Sequence, residues 1–175
     1  MIISLGGEAG SGKSTVSRLL AKKLNLKHYS MGDLRKKAAE NRGMTMAEYN
    51  QLGEEDPSTD KDVDNLQKNL AKEDNFVIDG RLSWFFIPQS IKIYLTAAPK
   101  VRAERVFKDE RVVERFATIE EAEKAILARD ESDAYRYEKY YGLDCNDQNQ
   151  YDLVIDTTYA PAEEVANQIL DFLKK

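Results

Sequence analysis

The sequence predicts a three-layer α/β chain, a mainly parallel five-stranded sheet with helices on both faces. Three observations lead there. Five short apolar runs recur along the chain, separated by stretches of helical periodicity. The first run ends in glycines and passes at once into an amphipathic helix, the order of a βα unit. The 175 residues, 42% of them apolar, can enclose one sizeable core and are too few for two, so one domain over 1–175 is expected.

The elements follow in order. Met1 to Leu5 reads as a buried strand ending at Gly6-Gly7. From Ser14 to Leu24, Val16, Leu19, Leu20 and Leu24 fall on one helical face while Lys22 and Lys23 point elsewhere. Lys27 to Ser30 is a second strand candidate. A polar, helix-rich stretch then runs from about Gly32 to Lys72 and reads as an insertion. Inside it Thr45-Met46-Ala47-Glu48 has the form of a capping box, and Pro57 punctuates an acidic segment. Phe76-Val77-Ile78 is the third apolar burst, and Ile91 to Leu95 the fourth, rich in β-branched and aromatic residues. Pro99 suits the first turn of a helix carrying Val101 and Val106. Thr118-Ile119-Glu120-Glu121 is a second capping box, opening a long helix towards Tyr141. Leu153-Val154-Ile155 is the fifth strand. Pro161 starts a last helix with Val165, Ile169, Leu170 and Leu173 inward.

Composition narrows the function. The 26 basic and 31 acidic residues give a net charge of −5, which argues against coating polymeric nucleic acid by bulk charge. A small phosphorylated ligand needs only a local cluster of cations and stays open. No apolar run spans a bilayer, and the N-terminus lacks a basic stretch followed by an apolar one, so neither membrane nor export is expected. The single cysteine, Cys145, cannot close an internal disulfide, which fits a cytoplasmic protein. A monomer is expected.

Gly7-Glu8-Ala9-Gly10-Ser11-Gly12-Lys13-Ser14 satisfies the phosphate-loop pattern G-x-x-x-x-G-K-[ST]. The glycines let successive N–H groups converge on one anion, and the helix that follows adds its N-terminal dipole. Lys13 can bridge the outer phosphates, and Ser14 can offer its hydroxyl to magnesium. Chance occurrence in a chain of this composition is on the order of a few in a thousand. Gly7 to Thr15 is therefore assigned to ATP, with Mg2+. No [NT]-K-x-D guanine-reading motif is present, and the chain is short for a motor ATPase, which leaves a small-molecule kinase.

Asp79-Gly80-Arg81 puts a carboxylate and a guanidinium at the end of the third strand, where parallel sheets line their ligand crevice. Asp79 can hold a magnesium-bound water or a substrate hydroxyl, and Arg81 can grip a phosphate bidentately. The competing reading is a strand-end turn closed by an ion pair. In the long helix, Asp133 lies about 40° and Arg136 about 20° from the direction of Arg129 around the axis, so all three share one face. They could clamp a phosphorylated substrate, or form an exposed ion-pair ladder. Tyr135, Tyr137, Tyr140 and Tyr141 read as packing residues, and Trp84-Phe85-Phe86-Ile87 as core or pocket wall. His28 carries no motif and is assigned no role.

Taken with their order, these motifs resemble the cytidylate kinase family of nucleoside monophosphate kinases, especially its short, archaeal-type branch. The resemblance rests on Gly7 to Thr15, Ser30-Met31-Gly32-Asp33, Glu55-Asp56-Pro57, Asp79-Gly80-Arg81, Pro88, Ile91 to Leu95, Arg129-Asp130-x-x-Asp133-x-x-Arg136 and Tyr151 to Thr158. It implies a monophosphate-binding insertion at about 32–72, a lid at about 105–129, and adenine bordered by the segment after Asp156. It implies that Ser30, Gly32, Lys36, Asp79, Arg81, Arg129, Asp133 and Arg136 hold the acceptor, with Lys13 and Arg129 catalytic. Magnesium would sit on Ser14, and through water on Asp79. Two positions depart from the family pattern. Lys36 stands where an arginine is usual, with Arg35 beside it, and Leu82 stands where many members carry aspartate. The implied activity is phosphoryl transfer from ATP to CMP or dCMP. A kinase for another acceptor (UMP, AMP or a small metabolite) and a nucleotide-binding module that regulates a partner stay open.

Overall fold

The computed structural model describes residues 1–109 and 115–174. Five strands form one sheet: β1 (Ile2–Gly7), β2 (Lys27–Ser30), β3 (Phe76–Asp79), β4 (Ile91–Thr96) and β5 (Leu153–Asp156), in the order β2-β3-β1-β4-β5. Every pairing is parallel. β1 runs two residues past the expected Leu5, because Gly6 and Gly7 pair with Tyr94 and Leu95. A Cβ on Gly7 would collide with the Leu95 carbonyl, and its φ of 132° suits only glycine, so this approach of two backbones is specific to the residue.

The helices are α1 (Lys13–Leu24), α2 (Met31–Asn41), α3 (Met46–Glu55), α4 (Ser58–Leu70), α5 (Ser83–Phe86), α6 (Pro99–Lys108), α7 (Ile119–Tyr141) and α8 (Ala162–Phe172). The helix-rich stretch before β3 is thus three helices. Thr45 opens α3 with a full capping box: its hydroxyl accepts from the Glu48 N–H, and the Glu48 carboxylate accepts from the Thr45 N–H. At α7 only half the box forms. The Thr118 hydroxyl accepts from the Glu121 N–H, but the Glu121 carboxylate reaches one residue further back, to the Ala117 N–H.

Alternation along the central strands divides the core into two layers. Ile3, Leu5, Val77, Ile93 and Leu95 face α1 and α8, meeting Val16, Leu20, Val165 and Ile169. Ile2, Phe76 and Ile78 face the other way, against Met31, Val63, Leu70, Leu82, Phe86 and Ile87. Trp84 and Phe86 are buried as expected, whereas Phe85 is exposed. Among the α7 tyrosines, Tyr137 and Tyr141 pack on the second layer; Tyr135 is exposed, a departure from the packing role expected of it.

The carboxyl ends of β1 and β3 lie side by side, with Leu5 opposite Asp79. This brings the loop after β1 and the turn after β3 to one crevice, where the chain switches from one side of β1 to the other. Ile169 is fully buried between α8 and the sheet and is not among the residues lining the cavity there. Truncating Ile169→Ala is expected to cost about 2–5 kcal/mol, lowering Tm by roughly 2–4 °C per kcal/mol for a chain of this size. Thermal unfolding measures it, and turnover below the new Tm should be unchanged.

Candidate active site

One cavity of about 1490 Å³ opens at this crevice, between the loop after β1, α2, α3, the β3 end and α7. Its floor is the 7–14 loop. Gly10 and Gly12 both have positive φ, and a Cβ on Gly10 would press on the Arg102 backbone. The loop is pinned from outside. The Thr157 hydroxyl donates to the Ser11 carbonyl (2.9 Å), Arg102 donates to the Ala9 carbonyl (3.1 Å), and Thr96 donates to the Glu8 carboxylate (2.9 Å). Thr15 lies at the rim, its N–H bonded to the Gly12 carbonyl (3.1 Å). The Ser11 hydroxyl is buried with no partner among the described residues.

Lys13 begins α1 and lines the cavity; its ammonium donates to the Glu8 carbonyl at 2.6 Å. Burial, with Arg81 and then Arg129 nearby, pushes its pKa down to about 7. A polyanion on this loop would restore the charge, so the site is built to hold phosphate groups.

Asp79 is the opposite case. Its Oδ1 accepts from Ser14 (2.9 Å) and Ser30 (3.0 Å), and its Oδ2 from Ser17 (2.9 Å) and His28 (2.7 Å). Burial alone would push this carboxyl up; the bonds from His28, Ser17 and Ser14 outweigh it and hold Asp79 below the usual carboxylate range. An ionised carboxylate only accepts, so the His28 Nε2 is the N–H donor. His28 therefore has a place at the site that its isolation in sequence did not reveal. Its neighbour in the sheet is Val77, a register unknown until β2 is placed beside β3.

The far wall holds the other expected residues. Arg81 is buried and belongs to the cavity lining: its Nε pairs with Asp133 (2.5 Å) and its Nη2 with Asp130, while its Nη1 is buried with no partner among the described residues. Arg129 lines the cavity beside Gly32, and Lys36 lines it from α2. Asp133 is buried; burial raises its pKa, but Arg81, Arg129 and Arg136 overcome this and hold it at about 2.

Arg136 shares the helix face of Arg129 and Asp133, as the spacing implied, yet stands one layer back. It is fully buried, with Nε on Asp60 (3.1 Å) and Nη2 on Asp133 (2.7 Å). Sequence reasoning passed over Asp60, Asp130, Arg35 and Arg102. Asp130 stood inside a quoted motif, one residue off the face that drew attention. Arg35 binds Asn50 (3.0 Å) and Asp60 and lies over the Tyr49 ring.

Two solved structures share the fold over nearly the whole chain. One is an uncharacterized protein from Eubacterium ventriosum (TM-score 0.74, 20% identity, 100% of this chain and 99% of that one). The other is shikimate kinase from Aquifex aeolicus (TM-score 0.60, 22% identity, 99% and 96%). Sequence decides the family: residues 2–159 match the cytidylate kinase-like family. The chain belongs to that family. Among its relatives, cytidylate kinase from Halobacterium salinarum is 38% identical over 174 residues, covering 98% of this chain and 88% of that one. The cytidylate kinase of Methanocaldococcus jannaschii is 35% identical, with complete coverage of both chains. That of Pyrococcus furiosus is 41% identical over 90% of this chain and 80% of that one. The expected family and three-layer fold are thus both found.

Asp133 bridges two buried guanidinium groups, so its loss leaves each with one carboxylate instead of two. Replacing Asp133→Asn is expected to cost about 3–5 kcal/mol at neutral pH. A carboxyl with a depressed folded pKa stabilises above its unfolded pKa, near 4, and loses that effect as pH falls through the folded value of about 2. The deficit of the variant should therefore shrink between pH 4 and pH 2, as urea unfolding across that range would show.

Proposed function

We propose that this chain transfers the γ-phosphoryl group of ATP to CMP or dCMP, giving ADP and CDP or dCDP. One observation carries the reading: a single cavity has the phosphate loop as its floor and Arg81, Arg129 and Asp133 on its far wall. Donor and acceptor phosphates can then meet over Lys13. The names of the archaeal relatives support the pyrimidine acceptor.

The residues Gly7 to Thr15 bind the ATP phosphates through backbone N–H groups and Lys13, with the buried Ser11 hydroxyl as a further donor. The segment 157–162, which borders the cavity, takes the adenine side. A hard cation fits the Ser14 hydroxyl backed by the ionised Asp79 carboxylate, whose four donors fix it in place. Among the described residues no cluster of three or more His, Cys, Asp or Glu could enclose a metal, so Mg2+ would complete its shell with phosphate oxygens and water. Bound there, Mg2+ would supply neutralisation of phosphate charge.

Lys36, Arg81 and Arg129 hold the acceptor phosphate, Ser30 and Gly32 frame it, and Asp133 orients the sugar or base. Arg136 acts from behind by fixing Asp133. An acceptor phosphate oxygen attacks the γ-phosphorus as the bond to the bridging oxygen of ADP breaks. The acceptor is already anionic, so no general base is needed, and rate comes from alignment and charge stabilisation. The insertion at 32–72 closes over the acceptor. The lid at 105–129 covers the donor, its residues 110–114 lying outside the described residues. The chain acts as a monomer in the cytoplasm; among the described residues, no helix is long and apolar enough to cross a membrane.

Steady-state ADP formation with a panel of monophosphates tests the acceptor. CMP or dCMP should stimulate ATP consumption far above AMP, GMP or shikimate; no stimulation above buffer by either pyrimidine overturns the proposal. Removing the Lys13 ammonium by Lys13→Ala should cost about 3–4 kcal/mol of transition-state stabilisation, read as a loss of kcat/KM while circular dichroism shows the fold retained. Near-normal turnover would contradict the mechanism.

A further inference from the structure

We propose that Asp130 is a positioning residue that holds the phosphate loop and Arg81 in one register across the cavity. Its Oδ1 accepts from the Ala9 N–H (3.2 Å) and from Arg81 Nη2, and its Oδ2 accepts from Arg102 Nη1 (2.6 Å). The same Arg102 nitrogen donates to the Ala9 carbonyl at 3.1 Å. Both polar backbone groups of Ala9, in the middle of the loop, are therefore clamped by one ion pair. Arg81 is clamped by the other side of that pair. With Nη2 on Asp130 and Nε on Asp133, two of its nitrogens are fixed, and Nη1 alone has no partner among the described residues.

The two functions of the carboxylate cannot be separated. It is rigidly part of α7, so the distance from the loop to Arg81 is set through one side chain. Burial would push Asp130 up, but Arg81 and Arg102 outweigh it and keep the group ionised. Losing it would leave Ala9 with Arg102 and Arg81 with Asp133, each still bonded but no longer to a common group. Phosphoryl transfer in line needs the donor and acceptor phosphates aligned, and a misplacement near 1 Å can cost about a hundredfold in rate. Ground-state binding of either nucleotide depends on its own half of the site and should suffer far less. The signature of a register residue is thus a loss of kcat with modest change in either KM.

This inference rests on the phosphotransfer reading, and its test uses whichever monophosphate the wild-type enzyme accepts. Absence of any acceptor for the wild type would count against that reading alone. Asp130→Asn should lower kcat about ten- to a hundredfold, with ATP affinity (by calorimetry, without acceptor) and acceptor KM each within about threefold of wild type. Arg102→Gln, which frees the Ala9 carbonyl but leaves Asp130 bonded to Arg81 and to the Ala9 N–H, should instead weaken ATP. Wild-type kcat with a lowered Tm would make Asp130 a stabilising residue only and overturn the proposal. So would a change confined to ATP affinity that copies Arg102→Gln. Should Asp130→Asn fail to fold, Asp130→Glu keeps the charge and moves the carboxylate by one methylene. The same loss of kcat is expected there, and an unchanged kcat overturns the proposal.

Discussion

Arginine and aspartate alternate through the protein behind the cavity: Arg35, Asp60, Arg136, Asp133, Arg81, Asp130, Arg102, each paired with the next. Each aspartate serves two guanidinium groups, so removing one loosens both of its neighbours in low dielectric. The chain of pairs begins on α2 and α4, crosses α7, reaches the turn after β3, and ends on α6 at the phosphate loop. Gly53 makes room for it: a Cβ there would press on the Arg136 side chain, on Arg35 and on Thr59. Well-packed apolar residues could stabilise the same interior as well or better. What the ionic version adds is direction. Arg81 and Arg136 are each held by two carboxylates, and Arg81 is part of the cavity wall.

Asp79 and Lys13 show the same economy closer to the reacting groups. Asp79 ends β3 and Lys13 begins α1, and their surroundings push their charges in opposite senses. Four donors keep Asp79 ionised in a buried position, whereas burial and Arg81 outweigh the pull of Asp79 on Lys13 and hold it at about 7. The carboxylate is thus settled before any ligand arrives, and the ammonium gains its full charge only against phosphate. Preorganised charge of this kind need not reorganise during the reaction.

The strands, most helices and the phosphate loop were legible because each is a local pattern: period two or 3.6, a cap, a glycine turn. The helix-face argument also placed Arg129, Asp133 and Arg136 correctly relative to one another. It could not say how deep each stands. α7 packs against both α3 and α6, so one face is cavity at Arg129 and interior at Arg136. Asp60 lay in an acidic segment that carried no assigned role, although its two oxygens serve Arg35 and Arg136. His28 was unreadable for a related reason: its partner Asp79 is distant in sequence, joined to it by strand order rather than spacing. Long-range pairs of buried charges leave no periodic trace.

The substitution at position 36 gains its meaning from the same chain of pairs. Arg35, one residue earlier, does not replace the guanidinium usual at 36. One step along α2 turns a side chain by about 100°, and Arg35 enters the interior to bind Asn50, Thr59 and Asp60. Lys36 remains on the cavity wall. An ammonium can neutralise an acceptor phosphate but has no planar fork to orient it. Orientation then falls to groups whose own direction is fixed, and Arg81 is the buried one, held on two sides by Asp130 and Asp133. A flexible cation at 36 is tolerable where a rigid one stands opposite. On the proposed reading, the alternation of buried charges is what lets this site do without the second guanidinium.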